Sequence, residues 1–530
     1  MTTNAVRVSD LVRRSAERDP GGIALEDSAG STRLTYGDLW NAVERGASAL
    51  ARSGLRPGDR VLLALPSRPE WMVALLSIVH ADLVAVPIPA STPPTLGRLA
   101  ATFTGARAWI GDPERGELGS MLRDLRGLTP AELVDAPRAR ASTCSARPEA
   151  PTVFVFTSGS TCRPRAVSLS HENLRANLRA LQAARQAGPN EAFLSSLPPS
   201  HAYELVAGQL APLSVGARIV YASTLLPNRL IDALGSHRIT RAVVVPALVD
   251  ALARNVLHDL VAAGVVDGAF ETKSPSELAA AVIRANRDSR QHVTDAVRSR
   301  IGPAFTTVIV GGAAAHPAWC EVLSAVGVAL DVGYGLTEAG PVVAVGRAGS
   351  CPAGSVGRPL PGVDVRIGND GEILVSSAGV MQEYVADPAA TVAAFEGSWL
   401  RTGDCGRLDE DGYLYVTGRV KDAMVTASGD TIYPDEIEPC YASPHFAELA
   451  VVPAPGPDGN DRPTLVVVPA GQHVDSTAIK RAVASLRAAA PPRLRVSGVV
   501  CRTEPLPRTA IGKVRRRALA DALRHCEVVS

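Results

Sequence analysis

Residues 34–66 read LTYGDLWNAVERGASALARSGLRPGDRVLLALP and place an amphipathic helix directly before a buried strand. Apolar residues recur at helical spacing up to Leu50, and Thr35-x-x-Asp38 ahead of them is typical of a capped helix start. A glycine- and proline-containing turn at 54–59 then leads into the apolar run VLLAL. Helix followed by buried strand is the unit of an α/β fold.

The same alternation recurs downstream, in NRLIDALGSHRITRAVVVPALV from residue 228 and in HPAWCEVLSAVGVALDVGYG from residue 316. It predicts two α/β sheets, with parallel strands covered on both faces. Short β-like runs cluster between about 360 and 420 and predict a more β-rich piece. Beyond it the chain predicts a small, mobile α/β unit, so we expect a body at 1–419 and a C-terminal domain at 420–530.

The composition of the 530 residues indicates a globular protein, since 46% are hydrophobic and 20% are charged. The 54 basic and 53 acidic side chains leave a net charge of +1, so no global field favours nucleic acid or an anionic membrane. Eight widely spaced cysteines, without a C-x-x-C pair, fit a reducing cytoplasm. No secretory signal or membrane-spanning segment is predicted.

A candidate phosphate-binding loop follows the apolar strand TVFVF and reads TSGSTCRPRAV over residues 157–167. Its hydroxyls and backbone N–H groups can surround an anion. The loop lacks the spacing of a P-loop NTPase and of a dinucleotide-binding fold. The candidate nucleotide-binding residues in it are Thr157, Ser158, Gly159, Ser160 and Thr161.

Four further stretches strengthen the interpretation of this loop as a phosphate-binding site: VGYGLTE at 332–338, WLRTGD at 399–404, GRVKD at 418–422 and PRTAIGK at 507–513. Together with TSGST, in this order and at these intervals, they resemble the adenylate-forming superfamily of acyl-CoA synthetases, peptide-synthetase adenylation domains and firefly-type luciferases. The resemblance covers nearly the whole chain. The stretches from LPPSHAYEL and VIVGGAAAHPAW look most similar to the branch that activates long or bulky hydrophobic carboxylic acids.

The resemblance implies two half-reactions, in which a carboxylate and ATP give acyl-AMP, and a thiol, usually that of coenzyme A, then displaces AMP. It implies that Thr337 contacts the α-phosphate and that Glu338 holds Mg²⁺, an ion that prefers oxygen ligands. Asp404 and Arg419 are implied to hold the ribose hydroxyls. The implied adenine-site residues are Gly311, Gly312, Ala313 and Tyr334, and Gly335 is a further implied nucleotide-binding residue.

The resemblance also implies a moving C-terminal domain. Lys513 matches the family lysine that stabilises the charge developing during adenylation, and Lys421 matches the hinge residue. Gly429 matches the glycine that lines the tunnel for the pantetheine arm, although one extra residue before it leaves the local geometry open. Arg515–Arg517 are expected to stay exposed or to meet the phosphates of coenzyme A.

His201, in PPSHAYEL, matches a family position at the rim of the acyl pocket. A gating role and a purely structural role remain equally open for it. Amino-acid-activating relatives carry an aspartate just after this point, where this chain has Ala202 and Tyr203. The sequence therefore favours a hydrophobic acid over an amino acid.

The second half of the phosphate loop departs from the family pattern. Cys162 and Ala166 each replace a glycine, and Arg165 replaces a lysine. A Cβ in a left-handed turn costs about 1–2 kcal/mol and fills space near the β- and γ-phosphates. We therefore hypothesise that adenylation is impaired and that the enzyme acts mainly on preformed acyl-AMP. The alternative is that the loop adapts and Arg165 binds phosphate well.

Three other interpretations stay open at this stage. The acceptor thiol is coenzyme A or the phosphopantetheine of an acyl carrier protein, and impaired adenylation would require a separate adenylating enzyme. A non-catalytic acyl-adenylate binder would have no use for Lys421, Gly429 and Lys513. A luciferase-type monooxygenase shares the motifs. Cys162 has no base partner in its motif, which argues against a nucleophilic role.

Overall fold

The computed structural model describes residues 7–112, 116–137, 147–157, 165–184, 187–224, 226–266, 275–288, 290–312, 316–422, 424–425, 431–443, 445–455, 461–470, 476–508 and 514–523. In this part of the chain the helices are α1 (Ser9–Arg18), α2 (Tyr36–Arg52), α3 (Pro69–His80), α4 (Pro94–Thr104), α5 (Gly116–Met121), α6 (Pro130–Val134), α7 (His171–Ala184), α8 (Ala211–Val215), α9 (Pro227–Ser236), α10 (Pro246–Ala262), α11 (Pro275–Asp288), α12 (Arg290–Ile301), α13 (Pro317–Ala325), α14 (Pro388–Ala393), α15 (Pro434–Ile437), α16 (Ser476–Ala489) and α17 (Arg516–Leu523). A π-helical turn spans Glu204–Leu210, and 3₁₀ turns lie at Thr337–Ala339, Val420–Asp422, Glu438–Tyr441 and Pro492–Leu494.

The strands are β1 (Ile23–Asp27), β2 (Arg33–Thr35), β3 (Arg60–Leu63), β4 (Val84–Pro87), β5 (Ala106–Ile110), β6 (Arg126–Leu128), β7 (Pro151–Phe156), β8 (Ala166–Ser170), β9 (Ala192–Ser195), β10 (Arg218–Tyr221), β11 (Arg241–Val244), β12 (Thr307–Val310), β13 (Ala329–Gly335), β14 (Val342–Arg347), β15 (Arg358–Pro359), β16 (Val363–Ile367), β17 (Glu372–Ser377), β18 (Glu383–Tyr384), β19 (Phe395–Glu396), β20 (Trp399–Leu408), β21 (Leu414–Arg419), β22 (Met424–Val425), β23 (Thr431–Ile432), β24 (Phe446–Pro455), β25 (Asp461–Pro469) and β26 (Gly498–Cys501).

The helix predicted from residue 35 onward is α2, and its start is fixed by a complete capping box. The Thr35 side chain accepts from the backbone N–H of Asp38, whose carboxylate accepts from the backbone N–H of Thr35. These two bonds satisfy donors that the first helical turn leaves unpaired. One face of the helix, including Leu39 and Val43, is fully buried.

The largest sheet among the described residues has nine strands in the order β15-β14-β13-β12-β11-β9-β10-β1-β2. Its interior is parallel from β13 to β1, whereas β2, β14 and β15 pair antiparallel at the two edges. Alternate residues of β12 face opposite sides of this sheet. Val308 and Val310 pack in a cluster with Trp319 of α13, while Ile309 faces the cluster that holds Tyr203.

The second sheet has seven strands in the order β18-β8-β7-β4-β3-β5-β6, within the ranges given above. It is parallel from β7 to β6 and antiparallel at β8 and β18. The expectation of parallel sheets is therefore correct for the interiors and wrong for these edges. The cause is local at β7 and β8, because the phosphate loop joins them as a hairpin rather than as a helical crossover.

The predicted β-rich piece is a five-stranded antiparallel sheet, in which β16, β17, β20 and β19 are neighbours and β21 pairs with β20. The C-terminal residues form the β22–β23 pair and a three-stranded sheet, β24-β25-β26, with α15, α16 and α17. They have their own apolar clusters, around Tyr441 and around Leu519. The predicted α/β class, with a large multi-sheet part and a small C-terminal part, is confirmed.

Among the described helices, none combines the length and the apolar character that crossing a bilayer requires.

Candidate active site

Four of the predicted nucleotide-binding residues lie where neighbouring strands of the nine-stranded sheet end. Gly311 and Gly312 follow β12, and Tyr334 and Gly335 end β13, its parallel neighbour. The 3₁₀ turn that contains Thr337 comes directly after. Because the carboxyl ends of parallel strands meet at one sheet edge, these residues lie at the same edge, the usual place for a ligand in such a sheet.

Tyr334 and Arg419 both contact Asp404. The buried Tyr334 hydroxyl donates to Asp404 Oδ2 at 2.9 Å, and Arg419 Nε lies 3.2 Å from Asp404 Oδ1. Asp404 and Arg419 are directly opposite each other on β20 and β21. Burial and the nearby Asp404 charge hold the Tyr334 pKa well above its usual range, so its hydroxyl stays a donor. The three residues that the sequence predicts for the ribose and the adenine thus form one connected group.

Two glycines of the site are required by close packing. A Cβ on Gly335 would overlap the carbonyl oxygen of Pro341, and one on Gly311 would lie 2.9 Å from the Tyr203 ring. The Tyr203 hydroxyl donates to the Ile309 carbonyl at 3.0 Å, which fixes the ring beneath Gly311. Gly312 has φ +88° with nothing within 4 Å of a built Cβ, so it faces open space. This exposed turn can accept a flat ring.

Glu338 is held by a residue that the sequence reasoning missed. The Tyr384 hydroxyl donates to Glu338 Oε1 at 2.8 Å, and burial together with the Glu338 charge raises the Tyr384 pKa. Tyr384 lies in β18, which pairs with β8 just after the phosphate loop. Glu338 and Tyr384 are 46 positions apart, so no local pattern joins them.

Arg165 contacts the same tyrosine. Its guanidinium carbon lies 5.1 Å from the centroid of the Tyr384 ring, and its Nε lies 3.9 Å from Asp387 Oδ2. The Arg165 carbonyl accepts from the Thr157 N–H at 2.8 Å, which closes the base of the loop. One tyrosine thereby connects the loop's cation to the carboxylate predicted to hold the metal.

Ala166 is not part of a strained turn. It is fully buried in β8, opposite Phe156, and its carbonyl accepts from the Val385 N–H at 2.8 Å. Its φ is not in the left-handed region, where the described non-glycine residues are Asp82, Arg238 and Ala386. The backbone strain considered for a residue replacing glycine therefore does not arise at Ala166.

His201 lies in the turn that enters the π-helical segment. Burial lowers its pKa, and its Nε2 is a buried atom with no hydrogen-bond partner in the described part of the chain. A neutral imidazole at neutral pH can act as a hydrogen-bond donor or acceptor without bringing a charge to an acyl pocket.

Glu204, three residues after His201, is a second residue that the sequence reasoning missed. It is fully buried, and burial raises its pKa to about 7. The available sequence signal is a lone carboxylate inside the apolar run AYELVAGQLAPL. A buried charged side chain without an obvious partner is unusual enough to deserve notice.

The predicted hinge residue Lys421 is exposed, in the 3₁₀ turn that follows β21. Arg515–Arg517 were expected to be exposed or to meet the phosphates of coenzyme A. Arg516 differs from this expectation, because it forms ion pairs within the C-terminal part. Its Nη2 lies 2.6 Å from Asp435 Oδ1 and 2.9 Å from Glu438 Oε1. Arg515 and Arg517 are exposed, as expected.

Several predicted site residues lie outside the described residues: Ser158, Gly159, Ser160, Thr161, Cys162, Ala313, Gly429 and Lys513. Within the described ranges, no group of three or more His, Cys, Asp and Glu side chains could hold a metal ion. Magnesium that is shared with phosphates needs only one or two protein carboxylates. Glu338, oriented by Tyr384, fits such a role.

The chain is similar to enzymes that activate carboxylic acids. The family model of AMP-binding enzymes matches residues 12–385. A feruloyl-CoA synthase from Amycolatopsis sp. is 30% identical over 520 residues, which cover 94% of this chain and 96% of that protein. A long-chain-fatty-acid–CoA ligase from Mycobacterium tuberculosis is 26% identical over 461 residues, covering 79% of this chain and 75% of that protein.

The fold also matches a solved structure. The ATP-bound MatB from Rhodopseudomonas palustris superposes with a TM-score of 0.80 at 23% identity, over 98% of this chain and 99% of that one. At this identity the likeness concerns the fold. It matches a large body with a small C-terminal domain, as the sequence predicts.

Proposed function

This chain belongs to the family of AMP-binding enzymes and is an acid–thiol ligase of the acyl-CoA synthetase type, and we propose that it joins a hydrophobic carboxylic acid to coenzyme A. The reaction proceeds through acyl-AMP, and it uses ATP or acyl-AMP, Mg²⁺ and coenzyme A. The observation that carries the proposal is the convergence at the end of β13 of two contact groups: Tyr334–Asp404–Arg419 and Glu338–Tyr384.

Each residue of the site has a separate proposed role. Asp404 accepts hydrogen bonds from vicinal hydroxyls, and Arg419 fixes its orientation, which positions a ribose. Thr337 would donate to the α-phosphate, and Glu338 would hold magnesium, which when bound supplies positive charge to offset the phosphates. Lys513 stabilises the charge that develops as the acid attacks. The proposal assigns His201 to the acyl side, Lys421 to the hinge and Gly429 to the route of the thiol.

The proposed substrate class rests on the apolar surroundings of His201 and on the absence of an acidic residue directly after it. The names of the two sequence relatives specify an aryl acid and long-chain fatty acids, which are both hydrophobic. Coenzyme A is the proposed acceptor. A carrier-protein phosphopantetheine presents the same arm and is distinguished from coenzyme A by experiment.

The finer proposal concerns which half-reaction limits the enzyme. We propose that the altered loop slows adenylation and that preformed acyl-AMP, supplied by a separate adenylating enzyme, is converted faster. Arg165 supports this, because its guanidinium must leave Tyr384 and Asp387 before it can bind a phosphate. An exposed cation–π contact is worth about 0.5–1 kcal/mol and an exposed ion pair about 0–1 kcal/mol, so these contacts slow adenylation by roughly thirtyfold at most. A larger defect would have to come from Cys162.

The test is to supply coenzyme A with either an acid, ATP and Mg²⁺, or synthetic acyl-AMP, and to measure the thioester. We expect faster thioester formation from acyl-AMP. Comparable rates from both sources would contradict the finer proposal but not the ligase. No thioester from either source across a panel of bulky acids would contradict the ligase itself. A carrier protein in place of coenzyme A tests the other acceptor.

Single substitutions locate the defect. Cys162→Gly and Arg165→Lys are expected to raise ATP-dependent turnover and to leave turnover from acyl-AMP unchanged. Ala166→Gly is the matched control, because this position is a buried strand residue rather than a turn. It is expected to lower stability by about 0.5–1 kcal/mol without raising turnover. A rise with Ala166→Gly alone would show that the loop defect has another cause.

A further inference from the structure

Glu204 is surrounded by uncharged hydrogen-bonding groups. Its Oε1 accepts from Ser195 Oγ at 2.7 Å and from Gln209 Nε2 at 3.0 Å. Gln209 Nε2 also donates to Ser195 Oγ at 2.7 Å, and Gln209 Oε1 accepts from the Tyr221 hydroxyl at 2.6 Å. All four side chains are almost completely buried. The network ties the π-helical turn to the ends of β9 and β10.

The π-helical turn makes this network geometrically possible. Its wider winding places residues four and five positions apart on one face, so Glu204 lies beside both Gly208 and Gln209. A Cβ on Gly208 would lie 2.6 Å from the carboxyl carbon of Glu204. The carboxyl group therefore occupies the space that the missing side chain of Gly208 leaves.

The second carboxyl oxygen settles the preferred protonation state. Glu204 Oε2 is buried and has no hydrogen-bond partner in the described residues. A negative charge on this oxygen would be desolvated without a donor, which is strongly unfavourable. A proton on Oε2 removes the charge and leaves both bonds to Oε1 in place.

The neighbouring residues give the network a connection to the reaction. His201 lies three residues before Glu204, and the Leu205 N–H donates to the His201 carbonyl at 2.9 Å. Tyr203 reaches Ile309 and packs under Gly311. A shift of the Glu204 carboxyl would therefore move the turn that borders the acyl side and the adenine side together.

We propose that Glu204 is a positioning residue that works as a neutral carboxylic acid, holding the turn of His201 and Tyr203 against β9 and β10 during acid activation and transfer. This inference rests on the proposed ligase function. Burial raises the Glu204 pKa to about 7 and thus agrees with a neutral state.

The two phenols and the imidazole near Glu204 keep their charge states through neutral pH. Burial raises the pKa values of Tyr203 and Tyr221, so both phenols stay protonated. The charge of Glu70 in α3 further raises the pKa of Tyr221, and the charge of Asp331 in β13 further raises the pKa of Tyr203. Burial lowers the His201 pKa, so that imidazole titrates on the acid side of neutrality. Glu204 is therefore the group of this cluster whose charge changes as pH rises past 7.

The first experiment reads the proton directly. Infrared difference spectra of the full chain between pH 5.5 and 8.5 are expected to show a protonated carboxylic-acid carbonyl band that disappears near pH 7 in the wild type and is missing from Glu204→Gln. Burial raises the pKa of Asp250 to about 6, so its band is expected in both proteins and cancels in the comparison. This readout does not depend on turnover. Identical spectra for the two proteins would overturn the inference and leave the ligase function unaffected.

The second experiment measures the pH dependence of kcat/KM, which tests whether Glu204 positions the turn of His201 and Tyr203. With acid plus ATP as substrate, wild-type kcat/KM for the acid is expected to fall about fivefold from pH 7 to pH 8, because the neutral fraction of Glu204 falls from about one half to about one tenth. Glu204→Gln keeps the Oε1 acceptor and carries no ionisable group, so its activity at pH 7 should be near the wild type and its alkaline limb flat. Parallel pH profiles would overturn the inference.

Gly208→Ala is a second variant that leaves every titratable group in place. Its Cβ displaces the Glu204 carboxyl, so the KM for the acid is expected to rise at least fivefold, while the KM for coenzyme A does not change. Gly188→Ala is the matched control, because no atom lies within 4 Å of a Cβ built there. An unchanged acid KM in folded Gly208→Ala would contradict a positioning role.

Discussion

At the scale of single residues, the Tyr384 hydroxyl determines how Glu338 is presented. We predict that Tyr384→Phe raises the KM for Mg²⁺·ATP about tenfold to hundredfold, because a hydrogen bond to a charged group is worth about 1.5–3 kcal/mol. The KM for coenzyme A should not change, since neither Tyr384 nor Glu338 is assigned to the route of the thiol. Initial rates at varied Mg²⁺·ATP, together with the thermal shift that Mg²⁺·ATP produces, measure the effect.

Tyr415→Phe is the control for this substitution. Its hydroxyl donates to Asp409 at 3.1 Å, another tyrosine–carboxylate pair, on the five-stranded sheet. It should leave all the kinetic constants unchanged. Equal constants for Tyr384→Phe and the wild type would show that Glu338 needs no orientation from Tyr384.

The roles of single residues could be predicted from the sequence where the residue lies in a motif with a known chemical role. Asp404 and Arg419 were both singled out in this way, and the structure pairs them across two strands. Tyr384 and Glu204 were missed because their roles depend on contacts, a hydroxyl meeting a distant carboxylate and a carboxyl filling the space over Gly208. Such contacts leave no mark on local spacing.

At the scale of elements, α17 is fastened to the C-terminal part by Arg516. Burial raises the pKa of its partner Glu438 even though the Arg516 charge acts in the opposite direction. We predict that Arg516→Gln destabilises the C-terminal part by about 1–3 kcal/mol, since a partly buried carboxylate loses its counter-charge. The loss should be larger at pH 8 than at pH 5, because protonated Glu438 needs no partner.

Hydrogen exchange followed separately in residues 431–523 and in the body measures this effect better than one global melting curve, because a multidomain chain is not two-state. Arg517→Gln is the matched control, since Arg517 is exposed. Protection that is the same in both variants at both pH values would refute a fastening role for Arg516.

Helices could be predicted where the sequence contains both a capping motif and a helical periodicity of apolar residues. The Thr35-x-x-Asp38 box and the apolar spacing after it gave α2. The π-helical turn at Glu204–Leu210 could not be predicted, because seven mostly apolar residues do not distinguish windings of 3.6 and 4.4 residues per turn. The hydrogen bonds of Glu204 and Gln209, made to distant strands, accompany the wider winding.

At the scale of the whole molecule, the Val420–Asp422 turn follows β21 at the predicted boundary between the body and the C-terminal domain, and Val420 is 41% exposed there. We predict that Lys421→Pro impairs thioester formation from acyl-AMP at least tenfold more than it impairs acyl-AMP formation. Proline fixes its own φ and disfavours the helical region for Val420, which restricts a hinge. Separate assays of the two half-reactions measure the ratio.

Lys421→Ala is the control for the hinge, because it removes the amine but keeps the freedom of the backbone. It should affect both half-reactions far less than proline does. An equal loss of both half-reactions in Lys421→Pro would place the hinge elsewhere.

The order of the nine-stranded sheet has a consequence for how this chain is made. Leu25 of β1 pairs in register with Ile219 of β10, so the first strand of the chain lies between β2 and a strand that follows 194 residues later. Ribosomes add about 5–20 residues per second, so β1 waits roughly 10–40 seconds for its parallel neighbour. During that interval its apolar residues, including Leu25, have no finished sheet to join. Nascent chains of this protein are thus expected to engage a chaperone from the first strand until β10 emerges.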